Sequence, residues 1–254
     1  MILPGLCSVT FRKFSVEEII ALASQAGLSA IEWGGDVHVP HGDVACAQRV
    51  AAQCRDAGLA TPSYGSYFRS DGGTEGPEFS AVLDSALALG AKTIRIWSGA
   101  KESAHMTSED WKRLTNESHR VASLAAGAGC EVAFEYHLHS ATDDNAAADR
   151  LLRETNHPAA RIYWQPRQGL TVAERLTSLE AVLPKLAHVH VFQWVGEPIE
   201  RRPLAEGAEE WSQYLALAGA APGDRCAYLE FVPDDSREAL LADAATLCAM
   251  LRSG

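Results

Sequence analysis

The chain has 254 residues, 47% of them hydrophobic, which is enough to bury a full core, and it carries a net charge of −11. Because nucleic-acid binding relies on clustered Lys and Arg, acidic charge spread along the chain argues against a nucleic-acid partner. No run of about 18 apolar residues predicts a membrane span. No linker or low-complexity tract divides the chain, so we expect a single domain over residues 1–254.

The cysteines and the first residues together predict a reducing compartment. The six cysteines include no CxxC pair, so we expect reduced, packed thiols rather than disulfides. Residues 1–10 have neither the basic segment nor the long apolar segment of a secretory leader. Both features predict a cytoplasmic protein.

The first half of the chain repeats one pattern, in which a helix ends at a glycine and an apolar strand follows. Residues 2–11 are predicted to form a strand, and Ser15 with Glu18 forms a capping box that opens the first helix. Asp43 can cap the second helix. Four helices are predicted to end at Gly27, Gly58, Gly90 and Gly129, followed by strands over 28–33, 59–65, 91–97 and 130–137.

The second half keeps the alternation with fewer glycines at the helix ends. Its predicted elements are a helix over about 141–154, a strand over 161–166, a helix opened by Thr171 and Glu174, a strand over 188–194, a helix over 208–218, a strand over 226–232 and a helix over 236–252. Eight strands alternating with eight helices predict an α/β fold, a single (β/α)8 TIM barrel with a parallel eight-stranded core. The alternative is a doubly wound open sheet, but the chain has no glycine-rich phosphate loop after an early strand.

Polar side chains at the ends of the predicted strands mark a candidate site. The apolar stretch over 131–139 carries Glu135, His137 and His139 at alternate positions, so all three should face the same way. A buried, unpaired carboxylate costs several kcal/mol, so this strand should open into a site, or else an arginine should satisfy Glu135 in a structural network. The later predicted strands bring Gln165 and Gln168, His188 and His190, and Glu230.

With the barrel and these strand ends in hand, the chain resembles the xylose-isomerase-like TIM-barrel superfamily, a group of sugar isomerases and epimerases that also contains endonuclease IV. The most specific pieces are FEYH around Glu135, HVHVFQW around His190, RRPLAEGAEEW after it, and YLEF around Glu230. The resemblance implies a divalent metal ion (Mn²⁺, Mg²⁺ or Zn²⁺) held by Glu135, Gln165, His190 and Glu230. Gln165 stands where the family typically has Asp.

The resemblance also implies that Glu135 and Glu230 carry protons on either face of a bound ketose. A metal that chelates a carbonyl and its neighbouring hydroxyl acidifies the carbon-bound proton, and a carboxylate removes it to give an ene-diolate. Return of the proton gives isomerisation or epimerisation, and loss of a leaving group gives a dehydratase or lyase. The rivals are a catalytically impaired barrel that binds a carbohydrate, which Gln165 favours, and an endonuclease IV-like phosphodiesterase, which the charge of −11 disfavours.

Aromatic and polar residues near the same strand ends predict a sugar or sugar-like substrate, because an aromatic ring can stack on C–H groups while polar side chains bind hydroxyls. His188 shares the parity of His190 but lies deeper, so we expect it to pack or to support the ligands. The sequence leaves open whether the chain forms a homo-oligomer. The candidate substrate-binding residues are His38, Arg69, Trp97, His137, Gln168 and Arg201.

Overall fold

Eight parallel strands close into a barrel in the computed structural model of the protein, which describes residues 1–73 and 76–253. Around the barrel the order is β1 to β7 and then β10, and β10 pairs with β1 to close the ring. The barrel strands are β1 (Ile2–Cys7), β2 (Ala30–Gly34), β3 (Ala60–Arg69), β4 (Thr93–Trp97), β5 (Glu131–Glu135), β6 (Ala160–Trp164), β7 (Leu186–Val191) and β10 (Arg225–Leu229). The predicted (β/α)8 barrel is confirmed.

Helices alternate with the barrel strands. Within the described residues they are α1 (Val16–Gln25), α2 (Val44–Asp56), α3 (Phe79–Leu89), α4 (Ser108–Gly127), α5 (Asn145–Thr155), α6 (Val172–Val182), α7 (Ala208–Ala220) and α8 (Arg237–Ser253). The predicted capping boxes at Ser15 and Thr171 are both present, and Asp43 accepts from the backbone N–H of Cys46. The four glycines predicted to end helices have φ between 69° and 79°, the left-handed region that favours glycine.

Several predicted boundaries differ from the structure, and three of them have a clear local cause. The first strand stops at Cys7, since Ser8–Phe11 forms a short 3-10 helix. The stretch over 188–194 does not stay in the barrel, because Gln193–Val195 (β8) turns away and pairs antiparallel with Glu200–Arg202 (β9). We call residues 193–202 the hairpin. The fifth helix begins at Asn145 rather than near 141, because Asp144 caps it by accepting from Ala147.

The alternation of strand side chains sorts the core into two parts. Residues at one parity fill the barrel interior, and those at the other parity pack between the strands and the helices. The interior set is Cys7, Val9, Ala30, Ala133, Tyr163, Ala187, Cys226 and Tyr228. Trp33 and Trp164 belong to the outer part, where the Trp164 indole donates to Ser178, so neither is a platform for a substrate.

All six cysteines are free thiols, five of them buried, as predicted. None of the helices in the described part of the chain is long and apolar enough to cross a membrane.

Candidate active site

The four predicted metal ligands converge at the carboxyl end of the barrel. Glu135 is the last residue of β5, His190 lies within β7, and Gln165 and Glu230 directly follow β6 and β10. The Nδ1 atom of His190 lies 3.0 Å from Gln165 Oε1, 3.4 Å from Glu230 Oε2 and 3.7 Å from Glu135 Oε1. All four side chains are buried. The strand ends identified from the sequence therefore form one cluster.

The donor set of this cluster fits a divalent cation. Three oxygen atoms lie within 3.7 Å of one imidazole nitrogen, and that nitrogen can donate to only one of them. Around a metal bound at about 2.1 Å, neighbouring ligand atoms lie about 3 Å apart and opposite ones about 4 Å. The three distances from His190 Nδ1 fall in that range, and by mutual distance Cys7, His190 and Glu230 also form a group whose ligand atoms lie within 4.8 Å of one another. Two carboxylates, an amide oxygen and an imidazole are ligands that Mn²⁺, Mg²⁺ or Zn²⁺ accept.

An arginine that sequence reasoning missed lies in the same cluster. Arg95 on β4 is 1% exposed; its Nε donates to Glu32 Oε1 at 2.8 Å, and its Nη1 donates to Glu135 Oε2. The sequence analysis allowed for an arginine that satisfies Glu135, and Arg95 is such a partner. Arg95 binds one carboxylate oxygen of Glu135, and the other oxygen faces His190. Strand parity could have found it, because Arg95 stands two residues before Trp97 and so faces the interior.

Glu32, at the interior parity of β2, lies on the other side of the His190 ring. Its Oε2 accepts from Ser63 at 2.7 Å and its Oε1 accepts from the thiol of Cys7 at 3.3 Å. The Nε2 atom of His190 lies 3.7 Å from Glu32 Oε1 and has no hydrogen-bond partner within the described residues. A carboxylate on that side suits a histidine that carries its proton on Nε2 and offers Nδ1 as a ligand.

The buried carboxylates differ in their electrostatics. Burial raises the pKa of Glu230, and the charge of Glu135 adds to this effect, although His190 opposes it. Burial would also raise the pKa of Glu135, but Arg95, His190 and His137 together outweigh it and hold this pKa below its usual range. Arg95 and His190 likewise overcome burial and hold the pKa of Glu32 well below its usual range. The surplus of negative charge favours a cation at the cluster.

Two predicted substrate-binding residues line a cleft beside the cluster, and two more pack next to them. The ring centroids of Trp97 and His137 lie 4.6 Å apart, and the Arg69 guanidinium lies 5.8 Å from the Trp97 ring. His137 and Gln168 line a cleft of about 220 Å³ whose wall also includes Gln165. An open cleft with a ligand residue in its wall suits a small polar molecule.

Arg201 lies on the hairpin beside this opening. Its guanidinium pairs with Asp235 at 2.6 Å and lies 5.0 Å from the Phe231 ring centroid. Trp194 on the facing strand of the hairpin lines the same cleft. The hairpin was not predicted, because the sequence continues its apolar pattern into residues that leave the barrel.

The structure does not bring His38 to the cluster. This side chain is buried with Nδ1 3.0 Å from Ser8 Oγ, and its ring packs edge-on against Trp33 in the outer core. Burial lowers the pKa of His38, as expected for a neutral core histidine. The contacts of His38 are therefore with Ser8 and Trp33 rather than with the cluster, and its predicted role in substrate binding has no support from its position.

The prediction that Glu135, His137 and His139 share one face was wrong. The strand ends at Glu135, and His139 adopts φ 62°, so the alternation stops there. His139 is exposed and lies 2.8 Å from Glu102. His188 has the packing role expected of it: its Nδ1 accepts from the Cys226 backbone, and burial lowers its pKa to about 4.

The fold and this donor set define a TIM barrel with a candidate cation site at the carboxyl ends of its strands. The model of the xylose isomerase-like TIM barrel family matches residues 20–249, and the chain belongs to that family. Its fold is similar to the probable 3-DHS dehydratase AsbF of Bacillus anthracis (TM-score 0.83, 18% identity, 97% of this chain and 99% of that one). It is also similar to an L-ribulose 3-epimerase (TM-score 0.73, 15% identity, 100% and 95%).

The chain is also similar in sequence to the inosose dehydratase of Bacillus velezensis (strain DSM 23117 / BGSC 10A6 / LMG 26770 / FZB42). It is 24% identical over 127 residues, which are 50% of this chain and 42% of that protein. The match therefore spans less than half the length of that relative.

Proposed function

We propose that this protein is a metal-dependent enzyme that isomerises or epimerises a sugar or a related polyhydroxylated ketone. The observation that carries the proposal is the placement of two carboxylates around one imidazole nitrogen. Glu135 ends β5 and Glu230 directly follows β10, and their nearest oxygens lie 3.7 Å and 3.4 Å from His190 Nδ1. Two proton carriers from different strands can serve two carbons, or two faces of one carbon.

Glu135, Gln165, His190 and Glu230 would hold the metal ion. When bound, a divalent cation polarises a carbonyl and its neighbouring hydroxyl and so acidifies the hydrogen on the carbon between them. Gln165 contributes an oxygen without charge, so Glu135 and Glu230 supply the negative ligands.

The chain's own residues then move the proton and orient the substrate. One of Glu135 and Glu230 removes the acidified proton, and the other returns a proton to the adjacent carbon or to the opposite face. Trp97 offers a ring face for the C–H side of the substrate. His137 and Gln168, in the wall of the cleft, offer hydrogen bonds to its hydroxyls.

Dehydration of a hydroxy-ketone is a second candidate function. It is supported by the likeness to two proteins described as dehydratases, the Bacillus velezensis inosose dehydratase and the probable 3-DHS dehydratase AsbF. The first step is the same removal of a proton beside a carbonyl. The electron pair left on carbon then forms a double bond and expels a hydroxide from the next carbon, which leaves as water after it takes a proton.

The test combines metal analysis with isotope exchange. We expect about one divalent ion per chain after incubation with Mn²⁺. With a panel of ketoses and hydroxy-ketones in D₂O, isomerisation or epimerisation should place deuterium beside the carbonyl in a product of the substrate's own composition. Dehydration should give a product lighter by one water. A protein that binds no metal in excess Mn²⁺ would overturn both reactions and favour the carbohydrate-binding barrel.

A further inference from the structure

We propose that Arg95 is a positioning residue that restricts how Glu135 binds a cation, an inference that rests on the proposed function. Its Nη1 donates to Glu135 Oε2, whereas Glu135 Oε1 lies 3.7 Å from His190 Nδ1. One carboxylate oxygen is therefore occupied by the arginine, and the other faces the candidate cation site. The arginine limits Glu135 to a single ligand atom.

The hydrogen bonds of Arg95 point to its acting through carboxylates. Its Nε donates to Glu32 at 2.8 Å, and its guanidinium lies 5.0 Å from the Tyr67 ring centroid. A Cβ atom added at Gly65 would lie 2.6 Å from Arg95 Nη2, so the chain passes close to the third nitrogen. That nitrogen has no hydrogen-bond partner within the described residues, so the side-chain hydrogen bonds that Arg95 makes there all go to the carboxylates of Glu32 and Glu135.

The charges of the cluster suggest why an arginine stands here. Glu32, Glu135 and Glu230 carry three negative charges when ionised and Arg95 carries one positive charge, so the four buried side chains sum to −2. A divalent cation brings this sum to zero. Removal of Arg95 leaves −3 and frees the second oxygen of Glu135, and both changes favour the cation.

Tighter metal binding should come with slower turnover. A Glu135 that can turn both oxygens to the cation loses the orientation that the arginine imposes, and misplaced catalytic groups cost rate. An arginine with a purely structural role gives a different result, because its loss would loosen the cluster and weaken both metal binding and turnover. The sign of the change in metal affinity therefore separates the two roles.

Two variants test the inference, with Mn²⁺ alone as the probe. Arg95→Met changes the charge sum to −3, and Glu32→Gln/Arg95→Met keeps it at −2 while still freeing Glu135. We expect Arg95→Met to lower the dissociation constant for Mn²⁺ by about tenfold to a hundredfold. The double variant should lower it by a smaller factor, and kcat should fall in both. Free Mn²⁺ is measured by electron paramagnetic resonance during titration.

Arg225→Met is the matched control. Arg225 is another buried arginine of the barrel, but it lies at the start of β10 and binds the carbonyl oxygen of Pro222 rather than a carboxylate. Its replacement should leave the dissociation constant for Mn²⁺ unchanged, even where the melting temperature falls.

The outcomes separate this inference from the proposed function. A folded Arg95→Met that binds Mn²⁺ no more tightly than wild type overturns the role of Arg95. Where the single variant does not fold, the double variant decides by the same criterion, because it leaves one buried carboxylate without its arginine instead of two. A wild-type protein that binds no Mn²⁺ overturns the proposed function itself.

Discussion

The floor and the mouth of the candidate site are built differently. The floor is the set Glu32, Arg95, Glu135, Gln165, His190 and Glu230, and the mouth is the set Arg69, Trp97, His137, Gln168 and Arg201. Floor residues lie on the barrel strands or directly after them and are at most 8% exposed, whereas every mouth residue is half-buried or exposed. Barrel packing fixes the floor residues around the candidate cation site, so substitutions of these residues should change the chemical step and metal binding. Substitutions of the mouth residues should change substrate affinity.

The largest effect should come from the two carboxylates of the floor that face His190 Nδ1. We expect Glu135→Gln and Glu230→Gln each to lower kcat by about 10² to 10⁴, the usual contribution of a positioned acid or base. Steady-state kinetics with a converted ketose measures it. Glu131→Gln, at the opposite end of β5, is the control and should keep kcat. A loss below tenfold in both floor variants would show that these carboxylates do not carry the proton.

The next effect concerns Gln165, the floor residue that lacks charge. Gln165→Asp should tighten Mn²⁺ binding by about 1 to 3 kcal/mol, the scale of a charge-assisted contact. Gln165→Ala should weaken binding and lower turnover, because His190 Nδ1 loses the oxygen that lies 3.0 Å away. Titration of all three proteins with Mn²⁺ measures the order. Equal affinities would remove Gln165 from the ligand set.

A smaller effect is expected from Trp97 at the mouth. Trp97→Ala removes the ring that stacks against His137, so we expect KM to rise by about tenfold with kcat little changed. His139→Ala is the matched control, since this exposed side chain lies beside the same loop but pairs with Glu102. A fall in kcat with KM unchanged would show that Trp97 contributes to the chemical step, as the floor residues do, and not to substrate affinity.

The smallest effect should come from Arg201. Its pair with Asp235 is exposed, so Arg201→Ala and Asp235→Asn should each change the free energy of unfolding by at most about 1 kcal/mol. Urea unfolding measures that change. If Arg201 contacts the substrate, only Arg201→Ala raises KM, although both variants break the same ion pair. Equal KM values would leave the hairpin arginine without a binding role.

The floor and the mouth also differ in how well the sequence predicts their residues. Strand ends located Glu135, Gln165, His190 and Glu230, and the family resemblance implied that these four are metal ligands. Arg95 obeys the same alternation, but a lone arginine in a strand carries no signal of its partner. The mouth was less predictable, as His38 shows, because its position depends on how a loop folds back over Ser8.

By itself the sequence determined the barrel, since helix caps, glycines and alternating apolar positions are local signals that each act within a few residues. It also determined which strand residues face the interior, because parity depends only on position along a strand. Only the tertiary structure decided that Arg95 binds both Glu32 and Glu135, that His139 turns away, and that the hairpin leaves the barrel. Those outcomes depend on contacts between residues far apart in the chain, and no local pattern encodes them.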